Sequence, residues 1–239
     1  MVAIAPEPFA DEHDGEPSVR GFLHRAAHPS GALRLRSGQD VLVVTHGASG
    51  NCRGPMLVAL AECFAAAGVT VLRYDLSFRQ ARASGPPSPA SADRDQAGIR
   101  RAVVLMKERC ERTEWGVGGR VFAGGQSYGG RQTTMVAAAD PALVDGLLLL
   151  SYPLHPPGRP AQLRTGHFPD LRNPALFVSG TKDAFGSIDE IEAAVKLIPA
   201  RVEIMPVEGA AHSLMTKGNR DTLAAMIVER FQMFFGASR

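Results

Sequence analysis

From about residue 18, short apolar runs alternate with longer amphipathic stretches. Val19–His24 and Leu33–Arg36 read as two opening strands. Val41–His46 is an apolar run that ends in a Gly-rich turn, the pattern of a parallel strand buried on both faces. Met56–Ala67 is a helix rich in Ala and Leu, closed by Gly68. Val69–Tyr74 is the next strand. Residues 83–92 are rich in Pro, Ser and Gly and read as loop. Asp93–Arg112 is helical, because Ile99, Val103, Met106 and Cys110 recur at helical spacing and form one apolar face. Arg120–Gly124 is a strand and Ser127–Ala139 a helix. Val144–Tyr152 is a strong strand, followed by an irregular, Pro- and Gly-rich excursion over Pro153–Asn173. Pro174–Gly180 and Arg201–Val207 are strands flanking a helix over Ile188–Leu197. The last helix is Asp221–Phe235, with Leu223, Met226, Ile227, Phe231 and Phe234 on one side. Strands alternating with helices predict an α/β protein whose mostly parallel sheet carries helices on both faces. Right-handed crossovers then gather the functional loops at the carboxyl ends of the strands.

Composition narrows this picture. The chain has 239 residues, 45% of them hydrophobic and 21% charged, which suits a globular protein with a full core and excludes wholesale disorder. No apolar run approaches the roughly 18–20 residues that span a bilayer. The net charge of +2 offers no general field for nucleic acid or an anionic membrane. Cys52, Cys63 and Cys110 lack the spacing of a zinc site or a disulfide framework, so free thiols and a cytoplasmic setting are expected. Residues 1–17 are acidic, lack the basic and apolar regions of a secretory signal, and read as a mobile tail. Residues 18–239 then form a single domain, with no internal repeat and no linker that splits it.

The sharpest chemical feature is Gly125-Gln126-Ser127-Tyr128-Gly129, flanked by Gly124 and Gly130. It joins a predicted strand to a predicted helix. Small residues two positions either side of the serine let strand and helix approach closely and expose Ser127 Oγ at a helix N-terminus. Gly124–Gly129 also has the glycine spacing of a phosphate-binding loop, but Gly130-Arg131 replaces the Lys-Ser/Thr that such a loop requires. A plain structural turn is the other alternative.

A serine nucleophile needs a base, and the base needs an orienting acid. Of the seven histidines, His13 is in the tail and His24 and His28 lie near an opening strand. His46 ends a strand and is expected to order the turn after it. His212 follows the last strand in a loop of small residues, Glu208–Ser213, and is the candidate base, with His155 or His167 as alternatives. Asp183 runs off the strand ending at Gly180 and is the candidate acid. Asp189 and Glu190 read as helix N-terminal charges, and Asp170 lies at the wrong end of its strand. Acyl transfer also needs N–H donors for the developing oxyanion. The expected donors are the backbone N–H of Tyr128 and, from the turn after Val41–His46, that of Ala48, with Ser49 next.

The order Ser127, Asp183, His212 is that of the α/β-hydrolases. The chain resembles that superfamily over residues 18–236, on the His46-Gly47 turn, the Gly125–Gly129 elbow, Asp183 and His212. It is similar to a bacterial subgroup of testis-expressed and NSL-complex-subunit hydrolase-like proteins. The strings that carry this are THGASGN at 45–51, RYDLSFRQAR at 73–82, GGQSYGGRQ at 124–132, LLLLSYPLHPPGRP at 147–160, GTKDAFGS at 180–187 and EGAAHSL at 208–214. Dienelactone-hydrolase-like enzymes share the core but usually carry a cysteine nucleophile, whereas position 127 is serine. The resemblance implies an α/β-hydrolase fold and a hydrolytic triad, and supplies no substrate.

Large lids in this fold usually follow the strand that ends here near Tyr152. The excursion at 153–173 is short, so a minimal cap and a fairly open site are expected. Ser49, Tyr128, Tyr152, Leu154 and Phe185 are candidate substrate contacts. Arg79, Arg131, Arg164 and His167 are candidates for an anionic substrate group, Arg79 first because it follows a strand end. The reading is a carboxylic-ester hydrolase acting on a small-molecule substrate, with no metal, no organic cofactor and no nucleic-acid partner. Two alternatives stay open: a hydrolase-fold scaffold that only binds a partner, and the same triad acting on thioesters or peptides. Oligomeric state is not readable.

Overall fold

The structure, a computed structural model, describes residues 5–12, 15–27, 39–111 and 119–236. The strand expected at Leu33–Arg36 lies outside them. In chain order the elements are β1 (Glu7–Asp11), β2 (Val19–His24), β3 (Val41–Thr45), α1 (Pro55–Ala66), β4 (Thr70–Tyr74), α2 (Ser77–Ala81), α3 (Ala92–Glu111), β5 (Val121–Gln126), α4 (Tyr128–Ala139), β6 (Gly146–Leu150), β7 (Ala175–Gly180), α5 (Ile188–Val195), β8 (Val202–Val207) and α6 (Leu223–Gly236). The strands form one sheet in the order β1-β2-β4-β3-β5-β6-β7-β8. Strands β4, β3, β5, β6, β7 and β8 are mutually parallel; β1 and β2 are antiparallel to their neighbours.

The two-residue period of a strand divides the core. Val41, Val43, Leu147, Leu149, Ala175 and Phe177 point to the face covered by α3, α4 and α5. Leu42, Val44, Leu148, Leu150, Leu176 and Val178 point to the face covered by α1 and α6. Each large aliphatic side chain so enclosed contributes about 1.5–3 kcal/mol. The apolar stripe of α3 is buried as expected, with Ile99, Val103 and Met106 almost fully enclosed. On α6, Leu223, Ile227, Phe231 and Phe234 face the sheet, but Met226 is 49% exposed and does not belong to that face.

Residues 7–11 depart from the expected tail. They form an edge strand in register with β2, with Phe9 buried and Asp11 bonded to Arg101 on α3. The other unexpected element is α2, a short helix between β4 and the Pro-rich loop. On β2 the buried His24 accepts a hydrogen bond from Arg73 Nε at 2.8 Å. Burial, then the Arg73 charge, lower the pKa of His24 to about 4. Among the described residues no helix is long and apolar enough to cross a membrane. Cys52, Cys63 and Cys110 are free thiols.

Candidate active site

Ser127 occupies a one-residue turn between the end of β5 and the first residue of α4. Its backbone has φ 49° and ψ −115°, a region that L side chains rarely adopt. Close packing enforces this conformation. A Cβ on Gly130 would stand 2.6 Å from the Gly125 carbonyl oxygen, and one on Gly129 would collide with the His46 carbonyl. On the other side of the serine, a Cβ on Gly125 would stand 2.8 Å from the Thr45 carbonyl oxygen, so the turn needs glycine on both sides, and Ser127 Oγ projects from the carboxyl end of the sheet.

His212 Nε2 lies 2.8 Å from Ser127 Oγ. On the other side of the ring, Nδ1 is 2.8 Å from Asp183 Oδ2 and 3.0 Å from Oδ1. The Asp183 side chain is 1% exposed and that of His212 is 27% exposed. Asp183 Oδ1 also accepts the Phe185 N–H at 2.9 Å. The loops carrying acid and imidazole are joined directly: Lys182 N–H donates to the Ala210 carbonyl at 2.9 Å, and Gly209 N–H to Thr181 Oγ1 at 2.9 Å. The Phe185 ring stacks on the imidazole with centroids 4.0 Å apart and planes 26° from parallel. The alternative bases are engaged elsewhere, His155 with Glu190 and His167 with Thr134. Glu190, in the first turn of α5, caps that helix together with Ser187, in keeping with its reading as a helix N-terminal charge.

The turn after β3 is held from both sides. His46 is buried; its Nδ1 lies 2.8 Å from the Gly47 carbonyl oxygen, and its Nε2 accepts the Leu76 N–H at 3.1 Å. The ring is therefore the neutral tautomer that donates from Nδ1, and burial, the largest influence on it, lowers its pKa. The same Gly47 carbonyl accepts the Gly50 N–H at 3.1 Å. In a trans peptide the N–H opposes the C=O, so these two bonds fix the direction of the Ala48 N–H. The Tyr128 N–H opens α4, where no intrahelical acceptor exists for it. The Tyr128 ring is tethered by its hydroxyl, which donates to the buried Asp95 carboxylate at 2.9 Å.

A family model for the α/β-hydrolase domain matches residues 38–234. The chain belongs to the α/β-hydrolase family. Solved structures show the same fold at low identity. A serine hydrolase homologue from Coxiella burnetii superposes with a TM-score of 0.71 at 16% identity, covering 96% of this chain and 99% of the other. The dienelactone hydrolase from Anabaena variabilis gives 0.70 at 19% identity, covering 96% and 98%. Est1E from Butyrivibrio proteoclasticus gives 0.70 at 15% identity, covering 96% and 99%.

In this α/β-hydrolase, Ser127 and His212 open into a cavity of about 910 Å³. One wall is the Pro-rich loop at 83–89, another the turn Gly47–Gly50, and a third is formed by Pro153, Arg164 and Phe185. Of the expected substrate contacts, Ser49, Tyr128 and Phe185 line the cavity, as does Ala48. Tyr152 and Leu154 do not. Both are about 1% exposed; Tyr152 packs on Phe168 and Phe177 and its hydroxyl donates to the Arg164 carbonyl at 2.7 Å. They build the support beneath the excursion, and the substrate role expected for them is corrected.

Arg79 is corrected as well. It is 7% exposed, and its guanidinium donates to four carbonyl oxygens: Gly50 at 2.8 Å, Ala48 at 3.1 Å, Gly85 at 3.0 Å and Arg82 at 3.2 Å. Its donors are spent on the protein, so it clamps the Gly47–Gly50 turn to the Pro-rich loop and is not an anion receptor. His167 is 2.8 Å from Thr134 Oγ1 and does not line the cavity, and burial, followed by the Arg131 charge, lowers its pKa to about 4. Arg131 and Arg164 remain at the cavity wall.

Proposed function

We propose that the protein is a serine hydrolase that cleaves carboxylic esters with small or medium acyl groups. One observation carries this reading: an unbroken chain of contacts from Ser127 Oγ to His212 Nε2 at 2.8 Å, and from His212 Nδ1 to the buried Asp183 carboxylate at 2.8 Å. In this mechanism Ser127 Oγ attacks the ester carbonyl carbon while its proton passes to His212 Nε2. The negative charge that forms on the carbonyl oxygen is met by the Tyr128 and Ala48 N–H groups, each worth about 3–4 kcal/mol to the transition state. Asp183 holds the imidazole in the tautomer that accepts at Nε2 and stabilises the imidazolium. That imidazolium returns its proton to the departing alkoxide, which leaves as alcohol. Water then attacks the acyl-enzyme with His212 as base, and the acid and free Ser127 are released. These steps use only the chain's own residues and one water molecule. The free thiols support a reducing, cytoplasmic setting.

Hydrolysis of p-nitrophenyl acetate and butyrate tests the reading. The wild type is expected to turn over both, and Ser127→Ala to lose essentially all turnover while keeping its fold. Turnover that survives Ser127→Ala rules out the serine as nucleophile. Turnover confined to thioester or peptide panels moves the same triad to another acyl group.

A further inference from the structure

We propose that Arg131 and Arg164 form a receptor for a carboxylate carried by the ester substrate, an inference that rests on the hydrolase reading above. Both arginines line the cavity into which Ser127 opens, and no carboxylate side chain lines it among the described residues. Arg131 is on α4, one helical turn after Ser127, with its N–H bonded to the Ser127 carbonyl at 2.9 Å. Its Nε is buried and has no hydrogen-bond partner. A buried guanidinium N–H without an acceptor is costly, and native proteins rarely leave one so. Arg164 faces it from the excursion. The backbone of Arg164 is pinned at both ends, its N–H to the Leu154 carbonyl at 2.8 Å and its C=O to the Tyr152 hydroxyl at 2.7 Å. Its guanidinium makes one bond, from Nη1 to the Pro153 carbonyl at 3.2 Å.

Several other arginines have their partners within the protein. Arg100 pairs with Asp140, Arg101 with Asp11 and Glu16, and Arg120 with Asp40. Arg79 is satisfied by carbonyls. Beside the candidate nucleophile, two cationic side chains share a cavity wall with no carboxylate side chain among its lining residues. Each charge disfavours the other: burial and then the Arg131 charge depress the pKa of Arg164. A carboxylate on the substrate would relieve that repulsion, and the planar guanidinium fork matches its two oxygens. Arg131 follows Ser127 by one helical turn and both line one cavity, so the carboxylate belongs a few bonds from the scissile carbonyl.

The test compares anionic esters with neutral isosteres. Monomethyl succinate is set against methyl 4-methylpentanoate for a carboxylate on the acyl side, and O-acetylglycolate against isobutyl acetate for one on the alcohol side. Proton release gives kcat/KM. In at least one pair the wild type is expected to prefer the anion, and Arg131→Met or Arg164→Met to reduce that preference by about tenfold or more. Arg172→Met, an exposed change away from the cavity, leaves the preference as it was. Calorimetry with succinate and glycolate provides a readout independent of turnover. Dicarboxylate or hydroxy-acid binding that depends on the two arginines, without ester hydrolysis, supports the receptor and sinks the ester reading. Hydrolysis of neutral esters with no preference for the anion in either pair, or a preference that survives both substitutions, overturns the receptor. Failure of both acids to bind, with no preference for the anionic ester, also overturns it.

Discussion

The His212 ring has almost no freedom to turn, because Asp183 takes Nδ1, Phe185 covers one face and Ser127 faces Nε2. Asp183→Asn keeps the size and most of the hydrogen bonding but lets an amide N–H meet Nδ1, which forces the wrong tautomer on the base. Ester turnover is expected to fall by ~10⁴ in kcat, with little change in Tm; a loss below tenfold in a steady-state assay contradicts the role given to Asp183. Arg79 makes a different prediction. Arg79→Met strands four carbonyl acceptors and frees the turn that aims the Ala48 N–H. Stability should drop by roughly 2–4 kcal/mol in urea unfolding and kcat/KM by ~10². Arg79→Lys should restore little, since an ammonium cannot reach acceptors spread around a planar fork. These two residues also mark how far the site is readable from the chain. Ser127, Asp183 and His212 can be picked out as candidates because a hydrolytic triad would restrict residue type, loop position and chain order together. Arg79, Tyr152 and Leu154 share their residue types with genuine substrate contacts. Only the packing, which turns Arg79 towards four backbone carbonyls, separates them.

At the scale of elements, the candidate site is a consequence of how β5 meets α4. Parallel strands buried on both faces reveal themselves as continuous apolar runs, and helices as recurring apolar stripes, so most of these elements and their order are legible in the sequence. The elbow itself rests on glycines whose missing Cβ atoms leave room for neighbouring backbone. Gly129→Ala places a methyl against the His46 carbonyl, which cannot move without breaking the turn that β3 carries. This single change is expected to abolish ester turnover and lower Tm by several degrees, about 2–4 °C per kcal/mol for a chain of this size. A fully active, equally stable Gly129→Ala protein contradicts the packing described. The elements that escape the sequence are those with weak local patterns. In β1 only Phe9 is buried, and its acidic neighbours suit a tail as well as an edge strand. Pairing with β2, a contact made through space, decides between them.

For the molecule as a whole, buried histidines tie stability to pH. His24 and His167 have folded-state pKa values of about 4, with burial the main cause, against 6.5 in the unfolded chain. Between these limits the unfolded chain binds more protons than the folded one, so folding loses stability as pH falls. The contribution is complete above about pH 6.5 and is lost progressively towards pH 4, at most about 3 kcal/mol per histidine. The buried His46, its pKa also lowered, acts in the same direction. Urea midpoints measured from pH 7.5 to 4 should decline, and the double change His24→Gln with His167→Gln should flatten the decline. A profile that rises towards pH 4 has the wrong sign for this account.

The central claim is that Ser127 is an activated nucleophile, and covalent labelling tests it most directly. A fluorophosphonate should add once per chain, with the adduct mapping by mass spectrometry to the peptide containing Ser127. Ser127→Ala should remain unlabelled, and His212→Ala should label at least ~10³-fold more slowly, since the serine then lacks its base. A folded wild-type protein that takes up no label, or one labelled at another residue with Ser127→Ala equally reactive, contradicts the account.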